Sequence, residues 1–380
     1  MIRLPFVLLL LWNTAMYADE YSFDMESIET QSFEYSGYLR AEHKYQTLNQ
    51  ESPLYTLLDR SDDSQNAFLN EALFRFTHYK DDFKLIGAFS ARYNNIDGVD
   101  EDIFTVYQLY AHNTLSINHS IDIGKIITLK WGPGYFFNPT AFLDRPKDPT
   151  QPENAYEGYV MANYSYNKSF DGDLKNLKLD LIYMPTTTKV NDDFYDATSN
   201  NLAVKLYLLY FDTDLSFIYL YNDELKDKIG FTFSRNLATY FEVHGEFAKQ
   251  IDGYHSYLLG LKYVTENDIT ITSEYYYDSD GLTKDEISSS IKLLPFAGKS
   301  YFVNKFSKKE PFGIVYASVY FKDMLNTEDD SHLDSLGFIY TFKNNIEIDF
   351  SYNVNSGDQE SDFGKKLLSD FTWLKVIWYF

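Results

Sequence analysis

The last eleven residues, Asp370 to Phe380, alternate in character and strongly constrain what this chain can fold into. Counting back from Phe380, the alternate positions Trp378, Val376 and Leu374 are apolar. In an extended strand these side chains share one face, because successive side chains point to opposite faces. A soluble sheet with such an apolar edge would tend to aggregate. The pattern therefore favours a strand whose apolar face lies against lipid.

Similar alternating runs, separated by turn residues, recur from about residue 33 onward. Seventeen are evident from alternation alone, whereas barrels formed by one bacterial chain have an even number of strands. We therefore predict an eighteenth strand at 299–307, with 16 strands as the alternative. The predicted strands are 33–46, 68–79, 83–94, 104–116, 121–131, 157–167, 175–186, 201–211, 214–222, 227–235, 238–248, 254–264, 268–278, 299–307, 312–323, 333–343, 345–355 and 367–380.

The predicted connections differ in length on the two sides of the sheet. One set is short, as periplasmic turns are: 80–82, 118–120, 212–213, 236–237, 265–267, 308–311 and 344, with 168–174 the longest. The other set is mostly longer, as external loops are, and includes 47–67, 95–103, 132–156, 187–200, 279–298 and 356–366. Within 279–298, Thr283 and Glu286 predict a capping box that opens a short helix running through Leu293 and Leu294.

Composition agrees with a closed barrel. Beyond the first eighteen residues, no segment approaches the run of about 18–20 apolar residues that a membrane helix needs. Yet the chain carries 34 Tyr, 31 Phe and 4 Trp. A barrel reconciles these facts, because each strand shows lipid only every second residue and its neighbours satisfy its backbone groups. The predicted fold is all-β: a single closed antiparallel transmembrane β-barrel of about 18 strands spanning 33–380, with no second domain.

The amino-terminal residues 1–18 have the parts of a cleaved secretory signal peptide: Arg3, an apolar run from Leu4 to Trp12, and Ala18 before the predicted cut. Residues 19–32 are a short extension, too small for a plug domain. The chain has no cysteine, which excludes disulfides and cysteine chemistry. A formal net charge of −23 argues against a nucleic-acid partner and predicts a mild preference for cations.

Charged side chains predict which face of each strand lines the barrel interior. Lys or Arg facing lipid at the membrane midplane costs about 2–4 kcal/mol, so charged residues are expected to point inward. The predicted lumen-lining residues are Arg40, Glu42, Lys44, Glu71, Arg75, Lys84, Arg92, Gln108, His112, Lys130, Lys205, Glu242, His244, Glu246, Lys262 and Glu274. A barrel of about 18 strands has room for an aqueous channel unless loops block it.

The loop 132–156 is the segment most expected to set function. It holds five of the ten prolines, and proline fixes φ and removes a hydrogen-bond donor, so the loop is stiff and cannot extend the sheet. Its aromatic residues would be costly to leave in water, so we expect it to fold into the barrel; a rigid cap over the rim is the alternative. The predicted constriction residues are Tyr135, Phe136, Asn138, Asp144, Arg145, Lys147 and Asp148.

These patterns resemble known families. The last strand, with Leu374, Val376, Trp378 and Phe380, resembles the insertion signal of bacterial outer-membrane β-barrels. This resemblance implies a Gram-negative outer membrane, contact with its lipid and lipopolysaccharide, and recognition by the barrel-assembly machinery. The architecture of 33–380 resembles porins, whose third external loop folds inward and narrows the pore, and which are commonly homotrimers. The run 131–139 is similar to segments of porin-like and exopolysaccharide-export barrels.

The predicted function is therefore an outer-membrane channel for diffusion of small hydrophilic solutes, narrowed by 132–156. One alternative is an exporter barrel for a polysaccharide or hydrophobic solute that works with a periplasmic partner. A second is an outer-membrane enzyme or structural barrel. The sequence contains neither a Gly-x-Ser-x-Gly elbow nor a His-Glu-x-x-His helix, and its seven histidines show no metal-ligand spacing. No catalytic residue, metal site or cofactor is predicted.

Overall fold

A computed structural model describes residues 32–127, 131–145, 147–151, 157–195, 197–290 and 296–380. The predicted signal peptide, residues 19–31 and Lys130 lie outside the described residues.

Within the described chain, 18 strands form one antiparallel sheet in which β1 pairs with both β2 and β18. This double pairing closes the sheet into a barrel and confirms the predicted all-β fold, including the eighteenth strand, β14. The strands are β1 (Phe33–Leu48), β2 (Ser64–Lys80), β3 (Phe83–Ile96), β4 (Val99–Ser116), β5 (His119–Ile126), β6 (Tyr159–Ser169), β7 (Leu174–Thr186), β8 (Ser199–Tyr210), β9 (Thr213–Asn222), β10 (Lys228–Ala238), β11 (Phe241–Gln250), β12 (His255–Val264), β13 (Ile269–Asp278), β14 (Ser300–Lys309), β15 (Ala317–Asn326), β16 (Ser331–Thr341), β17 (Ile346–Ser356) and β18 (Leu368–Tyr379).

Connection lengths separate the two ends of the barrel. We call the end that carries 49–63, 127–158, 187–198, 279–299 and 357–367 the external end. At the other end, the short-turn end, the longest connection is 310–316 rather than the predicted 168–174. Pro311 lacks an N–H, and Phe312 and Tyr316 have φ of 56° and 64°. These residues cannot join an antiparallel ladder, so β15 begins at Ala317, later than predicted.

The predicted loop 95–103 is wrong. β3 and β4 instead meet in a two-residue turn, Asp97-Gly98, with φ of 49° and 79°. Left-handed conformations at both central positions match the twist of the flanking strands, and Asp-Gly is a preferred pair for this turn. Asp100, which lies in the segment predicted as a loop, pairs across the hairpin with the Tyr93 hydroxyl and the Asn95 amide, both at 2.6 Å.

Two short helices interrupt the external connections: α1 (Pro53–Leu57) and α2 (Lys284–Ser289). The Glu286 carboxylate accepts hydrogen bonds at 2.8 Å from the backbone N–H and the hydroxyl of Thr283, so α2 begins where the capping box was predicted. The helix ends at Ser289 and Ser290 is extended, so the helix stops short of the predicted continuation; Leu293 and Leu294 themselves lie outside the described residues. None of the helices in the described ranges is long and apolar enough to cross a membrane.

The two faces of β18 differ in exposure. Leu374, Val376 and Trp378 point outward and are 41%, 39% and 36% exposed, whereas Trp373 on the opposite face is 7% exposed. Phe380 follows the strand and exchanges backbone hydrogen bonds with Gly37 at 3.0 and 3.1 Å. A Cβ on Gly37 would lie 2.6 Å from the Phe380 ring, so glycine makes room for that aromatic side chain.

Candidate functional site

The described residues of 131–151, which we call the inward loop, lie inside the barrel. On one side Trp131, Phe142 and Leu143 pack against inward-facing residues of β6 to β11: Tyr159, Met161, Ile182, Met184, Ala203, Ile218, Leu220 and Ala248. On the other side Phe136 and Phe137 pack against Leu258, Tyr301, Val303, Met324 and Leu333 of β12 to β16 and against Phe363. Burying each large apolar side chain contributes about 1.5–3 kcal/mol, so the loop is anchored to opposite parts of the wall.

Glu246 on β11 holds the start of the inward loop. Its carboxylate accepts hydrogen bonds from the N–H of Gly134 at 2.8 Å, the N–H of Thr140 at 3.1 Å and the Thr140 hydroxyl at 2.7 Å. A Cβ on Gly132 would lie only 2.0 Å from Glu246 Oε1, so the first glycine lets the carboxylate approach the loop backbone. Glu246 is 3% exposed, and its hydrogen bonds replace the water that burial removes.

Glu274 on β13 holds the next two residues of the loop. It accepts hydrogen bonds from the N–H of Tyr135 at 2.5 Å and of Phe136 at 2.9 Å, and the His244 imidazole lies 2.9 Å away. The Tyr135 hydroxyl donates to Glu242 at 3.1 Å. Burial raises the pKa of Tyr135, and the Glu242 carboxylate raises it further, so the hydroxyl remains a donor.

A cavity of about 230 Å³ separates the inward loop from the wall formed by β14 to β18 and β1. The loop contributes Phe136, Asp148, Thr150 and Gln151 to its lining. The wall contributes four lysines and one aspartate, together with polar and aromatic side chains. We call it the lysine cavity; its charged lining residues are Lys44, Lys305, Lys322, Lys375, Asp148 and Asp349.

Two of these lysines are direct neighbours. Lys305 on β14 and Lys322 on β15 are opposite each other in the strand register, so both point inward at one level. Lys322 donates to the carbonyl oxygen of Thr150 at 2.8 Å, which ties the inward loop to this wall. Like charges directly opposite each other repel, so this pair creates a local positive potential.

The other two lysines flank Trp373. The ammonium groups of Lys44 and Lys375 lie 3.8 and 3.9 Å from its ring centroid, within the range of cation–π attraction. Lys375 also pairs with Asp349 at 3.2 Å. This wall therefore carries two groups of positive charge. Lys44 and Lys375 stack on Trp373, with the charge of Lys375 neutralised by Asp349, and Lys305 and Lys322 form the second pair.

The predicted constriction residues do not form one group. Tyr135 and Phe136 serve as anchors, and Asn138 lies in the turn, where its carbonyl oxygen accepts from the Ala141 N–H at 3.2 Å. Phe136 and Asp148 line the lysine cavity.

The remaining predicted constriction residues face other parts of the barrel. Arg145 pairs with Asp193 and lies 3.3 Å from Glu157, on the β6 side. Lys147 donates to the Gly134 carbonyl oxygen within the loop at 3.1 Å. Asp144 lines a different cavity, described below.

The predicted lumen-lining residues that the structure describes lie on the inward face of their strands. Near the junction of β1 and β2, Arg40 pairs with Glu42 at 2.9 Å and with Glu71 at 2.7 Å. His112 lies 2.6 Å from Asp122. The others on this face are Arg75, Lys84, Arg92, Gln108, Lys205, Glu242, His244, Glu246, Lys262 and Glu274. In the described ranges, no group of three His, Asp or Glu side chains could hold a metal ion.

Several residues of the lysine cavity were missed by sequence reasoning: Lys305, Lys322, Trp373, Lys375 and Thr150. The strand residues carry a usable signal, because alternation that places Leu374 and Val376 outside places Lys375 inside. Thr150 has no such signal, because it contacts Lys322, which lies 172 residues further along the sequence.

No family model and no curated protein matches this sequence. Among solved structures, the chain is similar to OpdQ of Pseudomonas aeruginosa, at 12% identity and a TM-score of 0.58 over 92% of this chain and 99% of that one. It is also similar to OccK11 (OpdR) of the same organism, at 12% identity and 0.57 over 91% and 95%. OccK7 (OpdD), again from P. aeruginosa, gives 10% identity and 0.57 over 91% and 99%. The chain thus has the fold of a porin-like bacterial outer-membrane β-barrel.

Proposed function

We propose that this protein is an outer-membrane channel for small hydrophilic solutes, which pass beside the inward loop along the lysine cavity. The observation that carries the proposal is the position of the loop. Phe142 and Leu143 hold it against β6 to β11, while Asp148, Thr150 and Gln151 face the lysine cavity on the other side. A polar path bordered by a fixed loop suits selective diffusion, and diffusion supplies the driving force.

The lysine cavity favours anions over cations. It carries four lysines and two aspartates, and one aspartate is already paired with Lys375. Selectivity follows the local field at a narrow point rather than the charge of the whole chain. We therefore expect weak anion selectivity, opposite to the mild cation preference that the net charge of −23 predicts.

The location and partners belong to the same proposal. The outward apolar residues of β18 would contact outer-membrane lipid, and the assembly machinery would recognise this strand. Removal of residues 1–18 on export, and assembly into a homotrimer, remain predictions.

Single-channel recording in planar bilayers tests the proposal. The refolded protein should conduct steadily, and deletion of 135–148 should raise the conductance because the loop no longer fills part of the lumen. A silent bilayer from correctly folded protein, in both forms, would reject the channel and favour the exporter, enzyme or structural alternatives.

Reversal potentials in a salt gradient test the role of the lysine cavity. The double variant Lys305→Glu, Lys322→Glu should shift selectivity towards cations. The double variant Lys189→Glu, Lys226→Glu is the matched control, because it changes the net charge by the same amount at two lysines that are exposed in the connections between β7 and β8 and between β9 and β10. Equal shifts in both variants would mean that overall charge, not this cavity, sets selectivity.

A further inference from the structure

A second cavity, of about 280 Å³, lies on the opposite side of the inward loop, at the external end of the barrel. We call it the outer cavity. The loop contributes Phe142 and Asp144, β6 contributes Tyr159, β10 contributes Lys228, and the connection between β11 and β12 contributes Tyr254. It shares no lining residue with the lysine cavity.

The walls of the outer cavity are held by contacts of their own. The Arg145 guanidinium lies 4.7 Å from the Tyr159 ring centroid and pairs with Asp193. The Asn191 amide donates to the Val160 carbonyl oxygen and accepts from the Val160 N–H, both at 2.8 Å. These contacts hold the connection between β7 and β8 against β6. The cavity is therefore preformed, as small-molecule sites usually are.

The lining combines aromatic rings with balanced charge. Its rings are Phe142, Tyr159, Phe194 and Tyr254, and its other polar side chains include Asp144, Asp193, Lys228 and Gln250. The two carboxylates are balanced by the Lys228 ammonium group and by the Arg145 guanidinium, which pairs with Asp193, in contrast to the lysine excess of the first cavity. The Lys228 ammonium lies 5.8 Å from the ring centroids of both Phe142 and Tyr254, so apolar and polar surfaces meet at one place.

We infer that the outer cavity binds a small uncharged polyhydroxylated ring, of the size and chemistry of a monosaccharide. The C–H face of such a ring packs on aromatic side chains, and its hydroxyls both donate and accept, which matches carboxylate, amide and ammonium partners. An apolar solute would displace water from these charged and amide groups and offer them no hydrogen bonds in return. An anion gains no net attraction from balanced charge. This site does not depend on the channel proposal.

Equilibrium binding of glucose to the detergent-solubilised full chain, followed by saturation-transfer NMR, tests the site. We expect saturable binding that Tyr254→Ala weakens about two- to tenfold, because one ring face is lost. Lys228→Met should also weaken it, through loss of a donor. Lys305→Met, in the lysine cavity, is the control and should leave the glucose affinity unchanged.

Three results would overturn the inference. They are absence of saturable glucose binding, binding that neither Tyr254→Ala nor Lys228→Met weakens, and displacement of glucose by acetate, which would indicate an anion site. The readout involves no ion current. Glucose binding could therefore be confirmed even if the protein conducted no ions, and channel activity could be confirmed even if glucose did not bind.

Discussion

Glu246 shows how one residue decides where the inward loop lies. A carboxylate that is 3% exposed loses its hydration and must be compensated by donors. Three donors come from a loop segment 106–112 residues away in sequence. The glycine at 132 allows this approach, because any larger residue would place its Cβ against the carboxylate. Gly132 of the Gly-Pro-Gly run is thus explained by a contact with a distant strand.

Glu246→Ala should lower the free energy of unfolding by about 2–4 kcal/mol, because it leaves the N–H groups of Gly134 and Thr140 buried without an acceptor. Urea unfolding in lipid vesicles measures the change. Glu242→Ala is the matched control on the same strand and face, where the side chain is 20% exposed and accepts a single hydrogen bond from the inward loop. We expect less than half the loss there; equal losses would contradict the role given to Glu246.

At the scale of elements, the β3–β4 hairpin depends on the conformation of its turn. Gly98 has φ of 79°, and a Cβ added there would have no neighbour within 4 Å. Any effect of Gly98→Ala therefore comes from backbone strain alone. We expect a loss of about 1 kcal/mol in unfolding free energy.

Gly172→Ala is the control for this prediction. Its Cβ would also meet nothing within 4 Å, but its backbone is not left-handed. The same urea titration should show no comparable loss. If both variants were equally destabilised, strain at Gly98 would not be the cause.

The start of α2 has a defined pH dependence. Hydrogen bonds from the backbone N–H and hydroxyl of Thr283 hold the pKa of Glu286 below its ordinary value. Because the pKa of Glu286 is lower in the folded state than in the unfolded state, its hydrogen bonds stabilise the helix start fully at a pH above the unfolded-state pKa. This stabilisation is lost as the pH falls through the folded-state pKa. The protection factor of the Thr283 amide, which corrects the exchange rate for its intrinsic pH dependence, should therefore fall on acidification. In Glu286→Gln this pH dependence should disappear; its persistence would assign it to another group.

At the scale of the whole molecule, closure of β1 on β18 separates an outward face from an interior. Leu374→Arg puts a charge on the outward face and should destabilise the protein in vesicles by about 2–4 kcal/mol if it lies near the membrane midplane. Leu58→Arg is the comparison, because Leu58 is 51% exposed in the external connection between β1 and β2. It should change stability by less than about 0.5 kcal/mol. Similar effects of both substitutions would argue against lipid contact at Leu374.

The strand number and the face of most strand residues could be predicted, because alternation and turn residues are local properties of the chain. The two wrong connections have local causes too. The predicted loop 95–103 contains Asp97-Gly98, and that pair is itself a strong hairpin signal. β15 begins later than predicted because Phe312 and Tyr316 are left-handed, and neither position carries the glycine that would indicate this conformation in the sequence.

What the sequence by itself determined is therefore the barrel: its strands, its closure and the side of each strand that faces inward. Only the tertiary structure decided which inward residues meet. The contacts Glu246 to Gly134 and Lys322 to Thr150 join residues 112 and 172 positions apart. Alternation places a side chain inside the lumen, but it does not say how far a loop reaches across that lumen or which wall it touches. The path of the inward loop, and with it the two cavities, follows from long-range packing that no local pattern encodes.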